Sequence, residues 1–415
     1  MTVFVTLFLS FSLFVTQFSC SAIPLLHTTI SGIFHETETE TPDGLSTVQT
    51  VSNDNSLGLT CGSALLMEAS TGTVIYEKNS NKQLRPASIT KIMTLILIFD
   101  ALAENKISLE DTVTVSEYAS SMGGSQVYLE PGETQTVDTM IKCITVASAN
   151  DACVAMAEHI WGSETEFVTK MNERAKSLGM EQTTFINCCG LDVDSHVTTA
   201  KDIALMSREL ITKYPDIFNY TTIWMENITH VTRRGTSEFG LTNTNKLIRQ
   251  YSYATGLKTG YTSLAGSCIS ATAKKDEVEL IAVILKADSS KIRNAEAISL
   301  LNYGFRVCQT YQDANTEPLT PLPVKKGTAD TVPLYYSGPF HYVSVDGADI
   351  TSIEKRLELP EEINAPLVKG DVAGRVIYSL SGKDIGFVNI LYGESVELAT
   401  FGDYFTDIVI KFLLV

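Results

Sequence analysis

RPASITKIMTLILIFDAL, residues 85–102, joins a pair of reactive side chains to a strongly apolar helical pattern. From Ile89 to Leu102 the stretch is apolar on nearly every face, which indicates a helix buried on all sides within a protein. Ser88 and Lys91 stand three residues apart at its start, so on a helix they share one face and the amine can reach the hydroxyl. The stretch therefore predicts a central buried helix that begins with a paired serine and lysine.

The pairing of Ser88 with Lys91 suits nucleophilic catalysis. Serine is a poor nucleophile unless a nearby base takes its proton, and a desolvated lysine can do so. The apolar helix around Lys91 supplies that desolvation. Taken alone the pair is a weak signal, because both residue types are common and a helix-capping serine beside a solvated lysine is the alternative.

The chain on both sides of this helix shows further periodic segments. Strands are predicted at 63–68, 73–77, 266–274 and 278–286, and helices at 151–160, 166–177, 200–212 and 291–302. The whole region 107–252 is predicted to be mainly helical. Strands, a large helical insert, more strands and a closing helix are typical of an antiparallel sheet covered by helices, an α+β fold.

The composition changes after Thr310. Residues 311–327 are rich in proline, threonine and lysine, which predicts a linker. Residues 328–397 read as short alternating strands with glycine turns, a pattern that favours a small β-sandwich. We therefore expect two domains, one at 59–310 and one at 328–397.

The N-terminal residues 1–22 are predicted to be a secretory signal peptide. An apolar run at 3–18 is followed by small residues up to Ala22. The run is shorter than the stretch of about 20 apolar residues that a transmembrane helix needs. No lysine or arginine precedes the run, which leaves an upstream start codon open, and a buried N-terminal helix is the alternative. Residues 23–58 are polar without periodicity and predict a flexible lead-in. The protein is expected outside the cytoplasm, at the outer face of the cell membrane.

The C-terminal segment 398–415 has the pattern of an amphipathic helix. Its apolar positions at helical spacing are Phe401, Tyr404, Phe405, Ile408, Phe412 and Val415. The stretch 401–415 is too short and too charged to span a bilayer, but such a helix can lie in the membrane–water boundary as a peripheral anchor. The alternative is a closing helix that packs against the β domain.

The overall charge and the metal-ligating residue types exclude several classes of function. A net charge of −17 argues against nucleic-acid binding, which needs a basic footprint, and against general electrostatic attachment to anionic lipid. The histidines and the cysteines after residue 22 lack the spacing of a metal site, and Cys153 is interpreted as a core residue. Neither a metal nor a cofactor is expected.

Two more motifs accompany the serine and lysine pair. Ser148-Ala149-Asn150 lies between helical segments, and Lys258-Thr259-Gly260 begins a strand. The three motifs in this order resemble the active-site set of penicillin-recognising serine enzymes.

The residues around the motifs sharpen that resemblance. The flanks at 85–91, 148–152 and 256–262 are similar to those of the low-molecular-mass penicillin-binding proteins that are serine D-Ala-D-Ala carboxypeptidases, the peptidase S11 family. The resemblance covers about residues 58–308, and residues 328–397 resemble that family's β domain. It implies a catalytic domain like that of serine β-lactamases and penicillin-binding transpeptidases, followed by a small all-β domain. It also implies hydrolysis of the terminal D-Ala-D-Ala bond of peptidoglycan pentapeptide stems, and covalent inhibition by β-lactam antibiotics.

The resemblance implies a role for each reacting residue. Ser88 would attack the carbonyl between the two D-alanines and hold the peptide as an ester, with Lys91 as the base. Ser148, with help from Lys258, would pass a proton to the leaving amine. The backbone N–H groups of Ser88 and Tyr261 would form the oxyanion hole.

The remaining motif residues would bind substrate. Asn150 would hydrogen-bond the acyl-side amide, while Lys258 and Thr259 would face the terminal carboxylate. Gly260 would let the substrate backbone lie close to the strand.

One position departs from the family pattern. Related carboxypeptidases can carry a basic residue where this chain has Thr244. That basic residue would be a second contact to the substrate carboxylate, so in this chain another residue has to supply the positive charge. Arg293 is the candidate for that positive charge. The alternative is that Arg293 pairs with Glu296 on the surface of its helix.

Two other functions share some of these features. A serine β-lactamase of class A needs a glutamate that activates the deacylating water, and no convincing Glu-x-x-Leu-Asn element lies between Ser148 and Lys258. A non-catalytic penicillin sensor needs a route through the membrane, and the sequence shows no internal transmembrane segment.

Overall fold

The apolar run forms a central helix of the first domain. The structure, a computed structural model, describes residues 57–345 and 348–413. In it every residue of the helix from Lys91 to Phe99 is buried, which confirms the predicted burial on all sides. The predicted signal peptide and nearly all of the predicted lead-in lie outside the described residues.

The first domain alternates between strands and helices along the chain. Its helices are α1 (Lys91–Ala103), α2 (Glu117–Ser120), α3 (Val137–Thr145), α4 (Asn150–Trp161), α5 (Glu164–Ser177), α6 (Ala200–Lys213), α7 (Phe218–Thr221), α8 (Leu247–Gln250) and α9 (Ser290–Val307). Its strands are β1 (Ser63–Glu68), β2 (Val74–Lys78), β3 (Thr112–Thr114), β4 (Thr134–Thr136), β5 (Met225–Thr232), β6 (Gly235–Thr242), β7 (Ala254–Thr262), β8 (Gly266–Lys275) and β9 (Val278–Ala287). Short 3-10 helices lie at Ala87–Thr90 and Pro215–Ile217.

Five of these strands form one antiparallel sheet in the order β2-β1-β9-β8-β7. Side chains that alternate along a strand pack on opposite faces of the sheet. Leu65 and Val283 join the core that contains α1, whereas Leu66 and Ala282 pack against Leu300 of α9. The predicted antiparallel sheet covered by helices is therefore confirmed, and β7 lies at the edge of that sheet.

The insert between β2 and β7 is mainly helical but also contains two hairpins, β3–β4 and β5–β6. The sequence predicted a mainly helical region at 107–252, which agrees with the structure, but it did not predict the two hairpins. Strand β6 is largely exposed and polar, and it therefore lacks the alternation of a half-buried strand.

Several helices begin at a serine or threonine whose hydroxyl accepts a hydrogen bond from an amide in the first turn. Thr199 caps α6 in this way, and Ser289 caps α9 by accepting from the Ile292 amide at 3.2 Å. Such caps typically stabilise a protein by about 1 kcal/mol. The cap at Ser289 fixes where α9 begins, next to the candidate site.

The C-terminal part is built from short strands. They are β10 (Gln309–Asp313), β11 (Leu322–Lys325), β12 (Thr331–Val332), β13 (Leu334–Tyr336), β14 (Phe340–Ser344), β15 (Glu354–Glu358), β16 (Ile363–Asn364), β17 (Val372–Leu380) and β18 (Lys383–Tyr392). The sheets have the orders β10-β14, β12-β11-β16 and β13-β18-β17-β15. A further 3-10 helix lies at Ile350–Ser352. Tyr378 is fully buried, stacks on Phe340 at 3.8 Å and packs with Val376 and Ile390 in one core. The predicted small all-β domain is confirmed.

The segment 311–327 is not a free linker in this structure. Most of β10 and all of β11 fall within it, and each pairs with a strand from the C-terminal part. The sequence interpretation rested on proline and threonine content. The strands β10 and β11 have only five and four residues, and about half of these residues are exposed. Such short strands show too little alternation of apolar and polar residues to be recognised in a segment of this composition.

The final helix is α10 (Phe401–Leu413), and the apolar side chains at 401–410 whose burial is described are exposed to solvent. Phe401 is 86% exposed, Ile408 65% and Phe405 60%. The described side chains of α10 give no support to the alternative of a closing helix that packs against the β domain.

Candidate active site

Ser88 lies in the short 3-10 helix Ala87–Thr90 that leads into α1, and this turn packs against β7. A Cβ on Gly260 would lie 2.9 Å from the Ser88 amide nitrogen and 2.9 Å from the Pro86 carbonyl oxygen. A Cβ on Gly190 would collide with the Ala87 carbonyl. Glycine at 190 and 260 therefore lets two segments close around the turn that holds Ser88.

Lys91 has three polar partners although its side chain is fully buried. Its Nζ donates to Ser88 Oγ at 3.0 Å, to Asn150 Oδ1 at 2.7 Å and to the Cys189 carbonyl oxygen at 2.8 Å. A buried amine is costly unless its hydrogen bonds are made, and here all three are. The sequence-predicted Ser88–Lys91 pair is brought together by this arrangement.

Asn150 holds Lys91 in place and is itself held. Its Nδ2 donates to the Gly123 carbonyl oxygen at 2.6 Å, and its backbone N–H donates to Ser125 at 2.7 Å. Both ends of the Asn150 side chain are thus occupied without a substrate. The structure gives Asn150 a positioning role toward Lys91, and its contact with a substrate amide stays a prediction.

Ser148 lies in the turn between α3 and α4 and is only 3% exposed. Its φ of +61° is in the left-handed region, a conformation that non-glycine residues adopt mainly where the surrounding structure enforces it. The next carboxylate, Asp151, accepts hydrogen bonds from the Val127 and Leu129 amides. Burial raises the pKa of Asp151, an effect that the backbone donors oppose. Asp151 thereby anchors the loop whose Gly123 and Ser125 carbonyl oxygens accept hydrogen bonds from Asn150.

Lys258 and Thr259 come from the edge strand β7. Lys258 is 1% exposed, and its Nζ donates to the Thr259 carbonyl oxygen at 3.2 Å. Burial lowers the pKa of Lys258 well below its usual value, and the nearby positive charges of Lys91 and Arg293 lower it further. Thr259 Oγ1 contacts Thr244 Oγ1 at 3.3 Å.

A cavity of about 730 Å³ opens in front of these groups. The predicted site residues that line it are Ser88, Ser148, Thr259, Gly260, Tyr261 and Arg293. Lys91, Asn150 and Lys258 lie behind this lining, where they can act on it through hydrogen bonds and charge. Tyr261 is 69% exposed at the cavity edge.

Arg293 is buried at the cavity wall, 5% exposed, and does not pair with Glu296. Its Nε and Nη2 donate to Asn294 Oδ1 at 3.0 and 2.9 Å, while Glu296 accepts from Thr60 on another side of the helix. Burial lowers the pKa of Arg293. The alternative of a surface pair is therefore wrong, and Arg293 presents its charge at the cavity.

His196 is buried beside the Ser88 turn. Its Nδ1 accepts from the Ile186 amide at 3.1 Å, and its Nε2 lies 2.8 Å from Thr90 Oγ1. With Nδ1 accepting, the neutral ring carries its proton on Nε2 and donates it to Thr90. Burial lowers the pKa of His196 to about 4, so the ring is neutral near pH 7.

Three buried thiols, Cys153, Cys188 and Cys189, lie behind Lys91. The Sγ atoms of Cys188 and Cys189 are 3.6 Å apart, and those of both lie within 4.8 Å of a Glu164 oxygen. Both carboxylate oxygens of Glu164 already accept hydrogen bonds, from the Cys188 amide and the Tyr118 hydroxyl. Cys153 is fully buried, as a core residue should be.

Some site residues were not found by the sequence analysis. Ser125, Lys246 and Asn294 line the cavity, and Gly123 and Cys189 contribute only carbonyl oxygens. Because every residue type has a backbone carbonyl oxygen, the sequence does not show which residues contribute one to the site. The loop around Ser125 has no periodic pattern in its sequence, so the sequence does not show which other segment it packs against. Lys246 stands two residues after Thr244, and a search for replacement charge near that departure would have found it.

Comparisons with known proteins match both parts of the chain. The peptidase S11 family model, described as D-alanyl-D-alanine carboxypeptidase, matches residues 47–289. The model described as penicillin-binding protein 5, C-terminal domain, matches residues 309–398.

Individual relatives and solved structures agree with these matches. The chain is 41% identical over 340 residues to the D-alanyl-D-alanine carboxypeptidase DacF of Bacillus subtilis (strain 168), which covers 82% of this chain and 86% of the relative. Penicillin binding protein 5 from Haemophilus influenzae is similar with a TM-score of 0.69 and 28% identity, over 84% of this chain and 100% of that chain. Penicillin-binding protein D2 from Listeria monocytogenes, solved in an ampicillin-bound form, has a TM-score of 0.52 and 30% identity, over 60% of this chain and 98% of that chain.

Proposed function

This chain belongs to the D-alanyl-D-alanine carboxypeptidase family, and we propose from that premise that it trims peptidoglycan pentapeptide stems through an ester on Ser88. The protein is a serine D-Ala-D-Ala carboxypeptidase that binds penicillin. The reaction releases the terminal D-alanine, and β-lactams acylate the same serine.

The observation that carries the residue assignment is the set of partners around the Lys91 amine. Two of its three partners are carbonyl oxygens, which can only accept, and the third is the Ser88 hydroxyl, which can also donate. Once it has lost a proton, the Lys91 amine has two N–H donors and one lone pair, so it can no longer donate to all three partners. With both donors fixed on Asn150 and Cys189, the lone pair is left to face the Ser88 hydroxyl. The geometry supports Lys91 as the base that takes the Ser88 proton.

The remaining steps use groups at the cavity. Ser88 Oγ forms a bond to the carbonyl carbon of the penultimate D-alanine, and the backbone N–H groups of Ser88 and Tyr261 stabilise the oxyanion. The C–N bond then breaks, and the leaving amine receives a proton through Ser148, assisted by Lys258. Water later cleaves the ester, releases the shortened peptide and restores the Ser88 hydroxyl.

The positive groups fix the orientation of the peptide. Thr259 and Arg293 at the cavity, with Lys258 behind, are suited to the terminal carboxylate of the substrate. Gly260 has a second reason to be glycine beyond close approach of the substrate, because a Cβ there would press on the Ser88 turn. Asn150 is proposed to contact the acyl-side amide through its remaining hydrogen-bonding capacity.

A single assay separates this function from its two alternatives. Purified protein is incubated with a diacetyl-Lys-D-Ala-D-Ala peptide and, separately, with benzylpenicillin. We expect release of D-alanine together with slow loss of a covalent penicillin adduct. Rapid penicillin turnover would indicate a β-lactamase, and neither reaction would indicate a sensor. No described aspartate or glutamate lines the cavity, which disfavours a glutamate-activated deacylating water.

We also propose that the protein is secreted through its predicted signal peptide and touches the outer face of the membrane through α10. The exposed apolar side chains of that helix support the second part, since such surfaces mark membrane or protein contacts. Within residues 57–345 and 348–413, no helix has both the length and the hydropathy needed to cross a bilayer.

A further inference from the structure

The cavity in front of Ser88 is strongly cationic. Lys246, Lys291 and Arg293 line it, and Lys258 lies behind its wall. No described aspartate or glutamate is part of the lining, although the whole chain has a net charge of −17. A positively charged cavity raises the local concentration of negatively charged ligands, even when the net charge of the protein is negative.

Two of these cations have no carboxylate partner. Some lysines of the domain pair with acids, as Lys142 does with Glu226 at 2.7 Å. Neither Lys246 nor Lys291 forms an ion pair with a carboxylate in the described part of the chain. Glu296, on the same helix as Lys291, is already bound by the Thr60 hydroxyl at 2.7 Å.

Both lysines line the same cavity as Thr259 and Arg293, the groups proposed to receive the leaving residue. Lys246 stands two residues after Thr244, whose hydroxyl contacts Thr259. Lys291 stands two residues before Arg293. The two walls are joined there, because Asn294 Nδ2 donates to Gln250 Oε1 at 2.7 Å. The two lysines, both exposed to solvent, therefore stand on neighbouring walls of the cavity proposed to bind the terminal carboxylate.

The number of positive charges exceeds what one carboxylate requires. A terminal D-alanine brings a single negative charge, which the Arg293 guanidinium balances in the proposed function while the Thr259 hydroxyl donates a hydrogen bond. Lys246 and Lys291 remain unneutralised when that residue is bound. Uncompensated charges beside a binding site favour a ligand that carries the complementary group.

We propose that Lys246 and Lys291 bind a second anionic group on the residue that is released. The substrate class is a peptide ending in D-Ala-D-Xaa in which Xaa carries a side-chain carboxylate in addition to its terminal one. The proposal rests on the proposed function, because it uses the same serine, the same scissile bond and the same orientation of the peptide.

The test compares three diacetyl-Lys-D-Ala-D-Xaa peptides in which Xaa is glutamate, its neutral isostere glutamine, or alanine. For the wild-type protein we expect kcat/KM for the D-glutamate peptide to exceed that for the D-glutamine peptide about fivefold to tenfold at low salt, and less at high salt. In the double variant Lys246→Gln, Lys291→Gln the ratio should fall to about one, with each single variant intermediate. Lys369→Gln, which replaces an exposed lysine of the β domain, should leave the ratio unchanged.

Equal rates on the D-glutamate and D-glutamine peptides in wild type would overturn the proposal, and so would a preference that survives in the double variant. Failure to cleave the D-alanine peptide would instead contradict the proposed function. To keep the two separate, calorimetry on Ser88→Ala protein measures binding of the same peptides without turnover, and the same ratio of Kd values is expected there. A matching thermal unfolding midpoint in wild type and the double variant excludes a folding defect as the cause.

Discussion

Two regions of this molecule depart from the usual distribution of side chains, and they do so in opposite directions. Behind the cavity, Lys91, Asn150 and Lys258 bury polar groups, each with no more than 3% of its surface exposed. In α10, Phe401 and Ile408 expose apolar groups by 86% and 65%. Buried charge and exposed apolar surface are both costly, so each is informative where it persists.

The two regions differ in whether contacts within the chain offset the free-energy cost of the unusual side chains. The buried lysine Lys91 is compensated within the chain by three hydrogen bonds, so its site is complete without a partner. The exposed face of α10 has no such compensation among the described residues. The first region therefore indicates chemistry performed by the chain itself, and the second supports the proposal that α10 contacts the membrane.

Removing the buried Lys91 amine should have the largest effect. For Lys91→Ala we expect acylation by fluorescent penicillin to slow at least about 1,000-fold, because Ser88 loses its base. The rate of labelling on a denaturing gel measures this, with circular dichroism to check the fold. Lys275→Ala at an exposed strand end is the control. A mutant labelled near the wild-type rate would show that another group deprotonates Ser88.

The second buried lysine should matter through the substrate carboxylate. For Lys258→Ala we expect kcat/KM on a D-Ala-D-Ala peptide to fall about 10-fold to 100-fold, the size expected for a lost charge-assisted contact. Amidating the terminal carboxylate should then cost little in the mutant. If amidation costs as much as in wild type, the role given to Lys258 is wrong.

The buried imidazole beside the Ser88 turn should make stability depend on pH. The pKa of His196 is lowered to about 4 in the folded protein from 6.5, so between these values the unfolded state binds more protons. Its stabilising contribution is complete above pH 6.5 and is lost as pH falls toward 4, by at most about 3 kcal/mol. Chemical unfolding of wild type and His196→Gln across this range should show the steeper slope in wild type. Parallel slopes would contradict the assignment.

Removing the exposed apolar helix should leave the chemistry untouched. Truncation after Glu397 is expected to leave D-alanine release in solution within about twofold of the full chain, because α10 lies outside the cavity lining. Fractionation should move the truncated protein from the membrane to the soluble fraction. Retention as firm as that of the full chain would mean that the tail is not the anchor.

The sequence was most informative where burial and chemistry coincide. The motifs around Ser88, Ser148 and Lys258 are defined by residue type, and the apolar run at 89–102 is strong enough to predict its own burial. The strands β8 and β9 were predicted almost to their ends because their buried faces and the charged turn between them agree.

What the sequence could not predict depends on contacts between distant segments. Asn150 was predicted to contact the substrate, which stays a prediction, but no local pattern indicated that its side chain bridges Lys91 and the Gly123 carbonyl. The strands within 311–327 are short and half exposed, so pairing with partners later in the chain, and not periodicity, defines them.

The central claim is that Ser88 is the acylated nucleophile, and covalent labelling tests it directly. Wild-type protein and Ser88→Ala are incubated with benzylpenicillin, and intact-mass and peptide mass spectrometry locate the adduct. The account predicts one penicilloyl group on the wild type, on the peptide that contains Ser88, and neither an adduct nor D-alanine release in the variant. A penicilloyl group on Ser88→Ala at comparable yield, or on a wild-type peptide without Ser88, would contradict it.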